Sequence, residues 1–106
     1  MINITFNPNT YTLDITGHSN HGKKGEDIVC SAISTLFYTL GESLFASRFM
    51  MAEDVVFEGD EGSGHITCKP KAEYEANVSL MYRTILNGFD LVARNYKKYV
   101  KLKVVG

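Results

Sequence analysis

Two residues carry the types that nucleophilic chemistry needs, Cys30 and His18, twelve positions apart. A thiol attacks only as its thiolate, and a cysteine in the first turn of a helix can have its pKa lowered from about 8.5 to roughly 3.5–7.5, above all beside an imidazolium. Cys30 stands three residues after Asp27, which is placed to cap a helix start. His18 ends a predicted strand, and the loop from 19 to 26 must return the chain to that helix start. In this arrangement Cys30 attacks and His18 moves protons. The residues alone leave a second reading open, and composition favours it: Cys30 packs as a small hydrophobe among Ile28, Val29 and Ile33, with His18 an ordinary loop residue.

Supporting groups can be named on the same terms. Asp27 either caps the helix, worth about 1 kcal/mol, or turns its carboxylate toward His18 and orients the imidazole. Ser34 follows Cys30 by one helical turn and can bond the site from beneath or bond back to the Cys30 carbonyl. Gly22, Lys23, Lys24 and Gly25 would form a lid able to admit an extended peptide; the alternative is a plain connection. Metal chemistry is not expected. His18-x-x-His21 and His65-x-x-Cys68 are ligand-like pairs, but on a strand residues three apart point to opposite faces, and the spacing between pairs fits no common zinc module. No cofactor is implied, Cys68 reads as a packed residue and His65 as an exposed one, and Tyr74, Tyr82 and Tyr96 read as core or dimer surface.

The elements that must position these residues follow from periodicity. Ile2, Ile4 and Phe6, then Tyr11, Leu13 and Ile15, alternate across an Asn-Pro-Asn-Thr turn, so residues 1–17 read as a hairpin. Ile28, Val29, Ala32, Ile33, Leu36, Phe37, Leu40, Leu44 and Phe45 keep helical spacing. A second hairpin runs from about Val55 to Glu58 and from Gly64 to Lys69, closed by Pro70. A second helix spans about Ala72 to Tyr96 on a stripe of Val78, Met81, Ile85, Phe89 and Val92, and Tyr99 to Val105 alternates as a last strand. The order β-β-α-β-β-α-β indicates one α+β domain over residues 1–106, with a single sheet covered by two helices. Strand order is not derivable. Eleven basic against twelve acidic side chains argue against nucleic acid as a direct partner. No run approaching 18 apolar residues is expected to span a bilayer, and the N-terminus lacks signal-peptide character, so the expectation is a cytoplasmic protein whose two cysteines are thiols.

The run Gly17-His18, then Gly25-Glu26-Asp27-Ile28-Val29-Cys30-Ser31-Ala32 and Ser34, resembles the ribosomal-processing cysteine protease family Prp. There a Gly-His closes the second strand and Gly-x-Asp-Ile-Val-Cys opens the helix. The likeness extends to the element order and to Lys98-Tyr99-Val100-Lys101, covering nearly the whole chain. It implies a homodimeric cysteine endopeptidase with Cys30 as nucleophile and His18 as general base. It also implies a substrate: a large-subunit ribosomal protein precursor, number twenty-seven, relieved of an N-terminal extension, or a capsid or scaffold protein in phage relatives. Ser19 and Ser31 stand where the family usually has alanine, and His21 is an additional loop histidine, which points toward a divergent or phage-encoded member. The rival reading is a non-catalytic dimeric module that binds a ribosomal or capsid protein.

Charge is uneven. Residues 53–61 hold five acids and no base, residues 91–106 five bases and no acid. Solvated edges account for both. Alternatively Glu53, Asp54, Glu58, Asp60 and Glu61 attract a basic substrate, acting through solvent if the hairpin lies at the rim and not in the pocket. Phe45-Ala46-Ser47-Arg48 resembles the cleavage sequence of the family's substrate but falls at a helix end, and reads as chance.

Overall fold

The computed structural model describes residues 1–17 and 24–106, with residues 24–27 described by their backbone alone. The elements are β1 (Ile2–Asn7), β2 (Thr12–Thr16), α1 (Lys24–Ala46), β3 (Val56–Asp60), β4 (Ser63–Thr67), α2 (Glu75–Asn95) and β5 (Val100–Val104), with short 3-10 turns at Arg48–Met50 and Ala72–Tyr74. The order is the expected β-β-α-β-β-α-β. The strands form one five-stranded sheet in the order β3-β4-β2-β1-β5. All neighbours are antiparallel except β1 and β5, which run parallel in the register Ile2↔Val100 to Phe6↔Val104.

Alternation sends Ile2, Ile4, Phe6, Leu13, Ile15 and Ile66 to the helix-covered face, where each is buried. α1 meets them with Val29, Ile33, Phe37, Leu40 and Leu44, and α2 with Val78, Tyr82, Ile85 and Phe89. The α2 stripe differs from expectation in one place, because Tyr82 is buried while Met81 and Val92 are only half-buried. Its ring stacks on Phe6 at 5.3 Å, and its hydroxyl donates to the Tyr11 carbonyl at 2.7 Å. That bond holds the β1–β2 connection where Tyr11 adopts a φ of 53°, a conformation rare for a non-glycine residue.

By length and composition Ile28–Ala46 is apolar enough to cross a membrane, with a mean hydropathy of 1.4 over 19 residues, which corrects the expectation that no run approaches that length. Val29, Ile33, Phe37, Leu40 and Leu44 of this helix form one side of the core, whereas Ile28, Tyr38 and Phe45 are exposed. The opposite sheet face is polar: Asp14 lies across from His65, and their side chains pair at 2.6 Å between Oδ1 and Nδ1. His65 is therefore half-buried and partnered, and Cys68 lies on the other, buried face. No group of three or more metal-binding side chains occurs among the described residues.

Burial pushes the Tyr82 phenol and the Cys68 thiol well above and above their usual ranges, respectively. The unfolded chain ionises both groups first and so holds fewer protons than the native state, which makes stability fall as pH rises. The loss should begin above about pH 8.5 for Cys68 and about pH 10 for Tyr82, at up to about 1.4 kcal/mol per pH unit for each group. Tyr82→Phe should cost about 1 kcal/mol at pH 7 through the lost hydrogen bond, yet show a shallower decline above pH 10. Urea midpoints at pH 7, 9.5 and 10.5 check both; parallel parent and variant curves would refute the assignment.

Candidate active site

α1 lies close against the β3–β4 hairpin because glycines receive its aromatic rings. A Cβ on Gly64 would stand 2.6 Å from Phe37 Cζ, and one on Gly59 would stand 2.5 Å from the Tyr38 hydroxyl. Phe57 completes the cluster, its ring 5.6 Å from those of both Phe37 and Tyr38. Toward the N-terminal half of α1 the helix and sheet part, leaving a groove of about 530 Å³. Among the described residues, Cys30, Ile33 and Ser34 line its helix side, Ile2, Ile15 and Gly17 its sheet side, and Asp60, Glu61 and Gly62 the turn that ends it.

Cys30 is half-buried, packed against the core on one side and open to the groove on the other. Both sequence readings of this residue therefore hold in part: it is a packing residue and it is accessible. Ser34 is exposed on the groove wall one turn along, not beneath the site. Gly17 reaches the same groove, and His18 is its covalent neighbour. His18 itself, Ser19, His21, Gly22 and Lys23 lie outside the described residues.

The helix start corrects three expectations. α1 opens at Lys24, so Asp27 is its fourth residue and cannot be the N-cap. Cys30 becomes the seventh residue, in the second turn, where backbone N–H groups are already committed to helical bonds. Lys24 and Gly25 belong to the helix and not to a lid. The physical reason is that helix propagation adds a bond for each residue fixed, and one turn of extension outweighs the cost of a single glycine.

The acidic turn also reaches the site. Asp60 and Glu61 line the groove itself, so the condition under which the hairpin's charges would act only through solvent, a place at the rim, is not met for these two. Tyr38, Gly62 and Gly64 are groove residues that the sequence did not single out. Their role comes from contacts between α1 and a hairpin some twenty to thirty positions away, and no local pattern announces it. Phe45-Ala46-Ser47-Arg48 closes α1: the Ser47 N–H bonds the Ser43 and Leu44 carbonyls, and the Arg48 guanidinium lies 4.6 Å above the Phe45 ring. Phe45 is exposed, but its backbone is helical and not available as an extended strand.

Comparison with known proteins decides the chemistry. Residues 1–101 match the family described as Cysteine protease Prp. The chain belongs to the Prp family. Its reaction class is that of a cysteine endopeptidase. The ribosomal processing cysteine proteases Prp of two Staphylococcus aureus strains, Mu50 and NCTC 8325, are each 24% identical to it over 103 residues, spanning 95% of this chain and 94% of theirs. Among solved structures, an essential ribosomal processing protease Prp from S. aureus, in complex with a covalently linked product peptide, superposes with a TM-score of 0.75. It shares 20% identity, covering 99% of this chain and 100% of that one. SMU.848 from Streptococcus mutans gives 0.71 at 22% identity, covering 98% and 91%. These likenesses establish that the Prp fold is retained at low identity.

The two thiols of this Prp-family chain differ in access, and alkylation reads the difference. Iodoacetamide at pH 7 should modify Cys30 at least about tenfold faster than Cys68, since burial hinders approach to Cys68 and suppresses its thiolate. Peptide mapping over time checks this. Equal, slow labelling would remove Cys30 as an accessible nucleophile.

Proposed function

We propose that the chain is a processing endopeptidase in which Cys30 is the nucleophile and His18 the general base, with an extended peptide lying in the groove. The observation that carries this reading is that Cys30 and Gly17, the residue joined to His18, line one groove in a Prp-family chain. The Cys30 thiolate adds to the scissile carbonyl carbon, and its proton resides on His18. Collapse of the tetrahedral oxyanion breaks the C–N bond, His18 gives its proton to the leaving amine, and a thioester remains. Water, deprotonated by His18, then adds to the thioester, releasing the acid and restoring the thiol. Asp27 would orient His18, and Ser34, exposed on the wall, would contact substrate or water.

The substrate we propose is a large-subunit ribosomal protein precursor, number twenty-seven, cut after an N-terminal extension, with a phage capsid or scaffold protein as the alternative. The names of the S. aureus relatives, which are ribosomal processing proteases, support the first. A homodimer acting in the cytoplasm belongs to the same proposal.

Cys30→Ser and His18→Ala should each lower turnover of an extension peptide by at least about a thousandfold while leaving the fold intact, as single losses from a nucleophile–base pair do. His21→Ala should change it less than about threefold, because His21 is not joined to a strand end that could fix its imidazole. An inactive His21→Ala beside an active His18→Ala would reverse the assignment of the base. A Cys30→Ser protein with full activity would remove the nucleophile.

The acidic turn yields a separate expectation. With Asp60 and Glu61 in the groove wall, Asp60→Lys with Glu61→Lys should lower kcat/KM for a peptide bearing a lysine beyond its cleavage site. A fraction of the loss should survive at 0.5 M salt, where charges acting only through solvent are screened. Ratios to the parent equal to one at both low and high salt would leave the turn without a part in recognition.

A further inference from the structure

We infer that the free edge of β3 is the track on which a basic flank of the substrate peptide adds as a further strand, with Glu58 as its specificity-determining residue. The inference rests on the reading of the groove as the place where Cys30 cuts an extended peptide, and it names what that peptide must carry. β3 ends the sheet, and its one strand neighbour among the described residues is β4. Asp60 pairs with Ser63 across a two-residue connection, so that pair exchanges hydrogen bonds, and alternation gives Glu58 and Val56 the same role. The N–H and C=O groups of Phe57 and Gly59 therefore point out of the sheet edge. The next strand pair keeps the same phase: Gly62, two residues before Gly64, accepts from the Gly17 N–H at 3.0 Å, as residues turned toward β2 must.

The edge is continuous with the groove. Asp60, the last residue of β3, lies in the groove wall, and Ser34 and Tyr38 line both the groove and a shallower cleft on α1 formed with Thr35, Thr39 and Glu42. Tyr38 overhangs the edge at Gly59, where a Cβ would stand 2.5 Å from its hydroxyl. A chain leaving Cys30 past Asp60 thus meets the unpaired backbone of β3 and the cleft beside Tyr38. Because β3 runs toward the groove, antiparallel pairing, the more stable kind, makes that chain the flank that follows the scissile bond. Charge names its chemistry. Residues 53–61 hold five acids and no base, and Glu58 and Asp60 are exposed on the strand itself. The opposite edge, β5, instead carries exposed Lys101 and Lys103, a common guard against stray strands. Two β3 edges brought together would set carboxylates against carboxylates, which disfavours a second copy and favours a basic strand. On such a strand the residues that bond Phe57 and Gly59 turn their side chains toward Tyr38, and those between them share the face of Glu58 and Asp60.

The test uses the full-length chain and an extension peptide with Lys-Thr-Lys-Thr beyond its cleavage site, methylated on one backbone nitrogen at a time. Methylation at alternate flank residues should lower kcat/KM about fivefold to tenfold, the cost of a lost hydrogen bond, and at the residues between them less than about twofold. Of this peptide and its Thr-Lys-Thr-Lys counterpart, the better substrate should be the one whose lysines fall on the insensitive residues. Glu58→Lys should lower kcat/KM for that peptide about fivefold at low salt, and change it less than about twofold for a peptide with a flank of serines. A flat methylation scan on the active parent overturns the inference, as does a loss without alternation or a Glu58→Lys protein that handles the lysine peptide as the parent does. Efficient disulfide pairing of Glu58→Cys chains would give the edge to a second copy and overturn it too. Cys30→Ser is measured alongside. Full activity there removes the nucleophile reading itself, whereas an inactive Cys30→Ser beside a flat scan removes this inference alone.

Discussion

The seating of α1 on the β3–β4 hairpin is the contact on which the rest of the structure depends. Phe37 fits against Gly64 and Tyr38 against Gly59, while the Phe57 ring occupies the space a side chain on Gly41 would need. Each is an aromatic ring placed where the opposing residue has no Cβ, so helix and hairpin approach more closely than side chains would otherwise permit. The contact falls midway along α1. Because a helix is a rigid rod of about 1.5 Å rise per residue, fixing its middle fixes the height of its N-terminal half above the sheet. Cys30, two turns before Phe37, is thereby suspended over the ends of β1 and β2 at a separation that leaves a groove and not a sealed core.

The character of the groove follows from which ends meet there. Its floor is apolar because Ile2 and Ile15 are the terminal inward-facing residues of β1 and β2 and Ile33 of α1 faces the same space, and its far wall is acidic because a hairpin tip must be solvated. A thiol on such a floor would by itself be a packing residue, as Cys68 is. The two cysteines separate by one physical difference. Cys68 lies in the core beside Tyr82, where burial suppresses its ionisation, while Cys30 is half-buried and lines the groove. Access, more than residue type, distinguishes a candidate nucleophile from a structural thiol.

Much of this was legible in residue order. Period-two runs at Ile2–Phe6, Leu13–Ile15 and Tyr99–Val105, the Gly-rich turn between Val55–Glu58 and Gly64–Lys69, and the period-3.6 runs of the two helices located the seven elements. The pairing of β5 with β1 was not legible, because a parallel neighbour across most of the chain leaves no local trace. Helix α1 began three residues before the expected Asp27 cap because glycine at 25 and the charged run before it read as loop, although neither breaks a helix held by its own downstream packing. Cys30 was singled out by an expected place in the first turn of a helix; it stands in the second turn and lines the groove. The acidic turn's place in the groove wall was hidden, because it depends on how far the β3–β4 hairpin extends past β2.

Placing nucleophile and candidate base on different elements has a consequence for how the site tolerates sequence change. Cys30 is fixed by the α1 core and the end of β2 by the sheet ladder, so neither depends on the residues that link them. The link between them carries His18, the proposed base, together with one serine and a second histidine among residues 18–23. What cannot drift is the geometry of the supports: the apolar contacts under α1 and the glycine at the end of β2, whose Cβ-free, left-handed backbone no other residue type supplies without strain. This accounts physically for a fold that superposes on S. aureus Prp with a TM-score of 0.75 at only 20% identity. The contacts at the two supports keep the helix and the sheet apart over Cys30 and so set the groove that any bound peptide must fit.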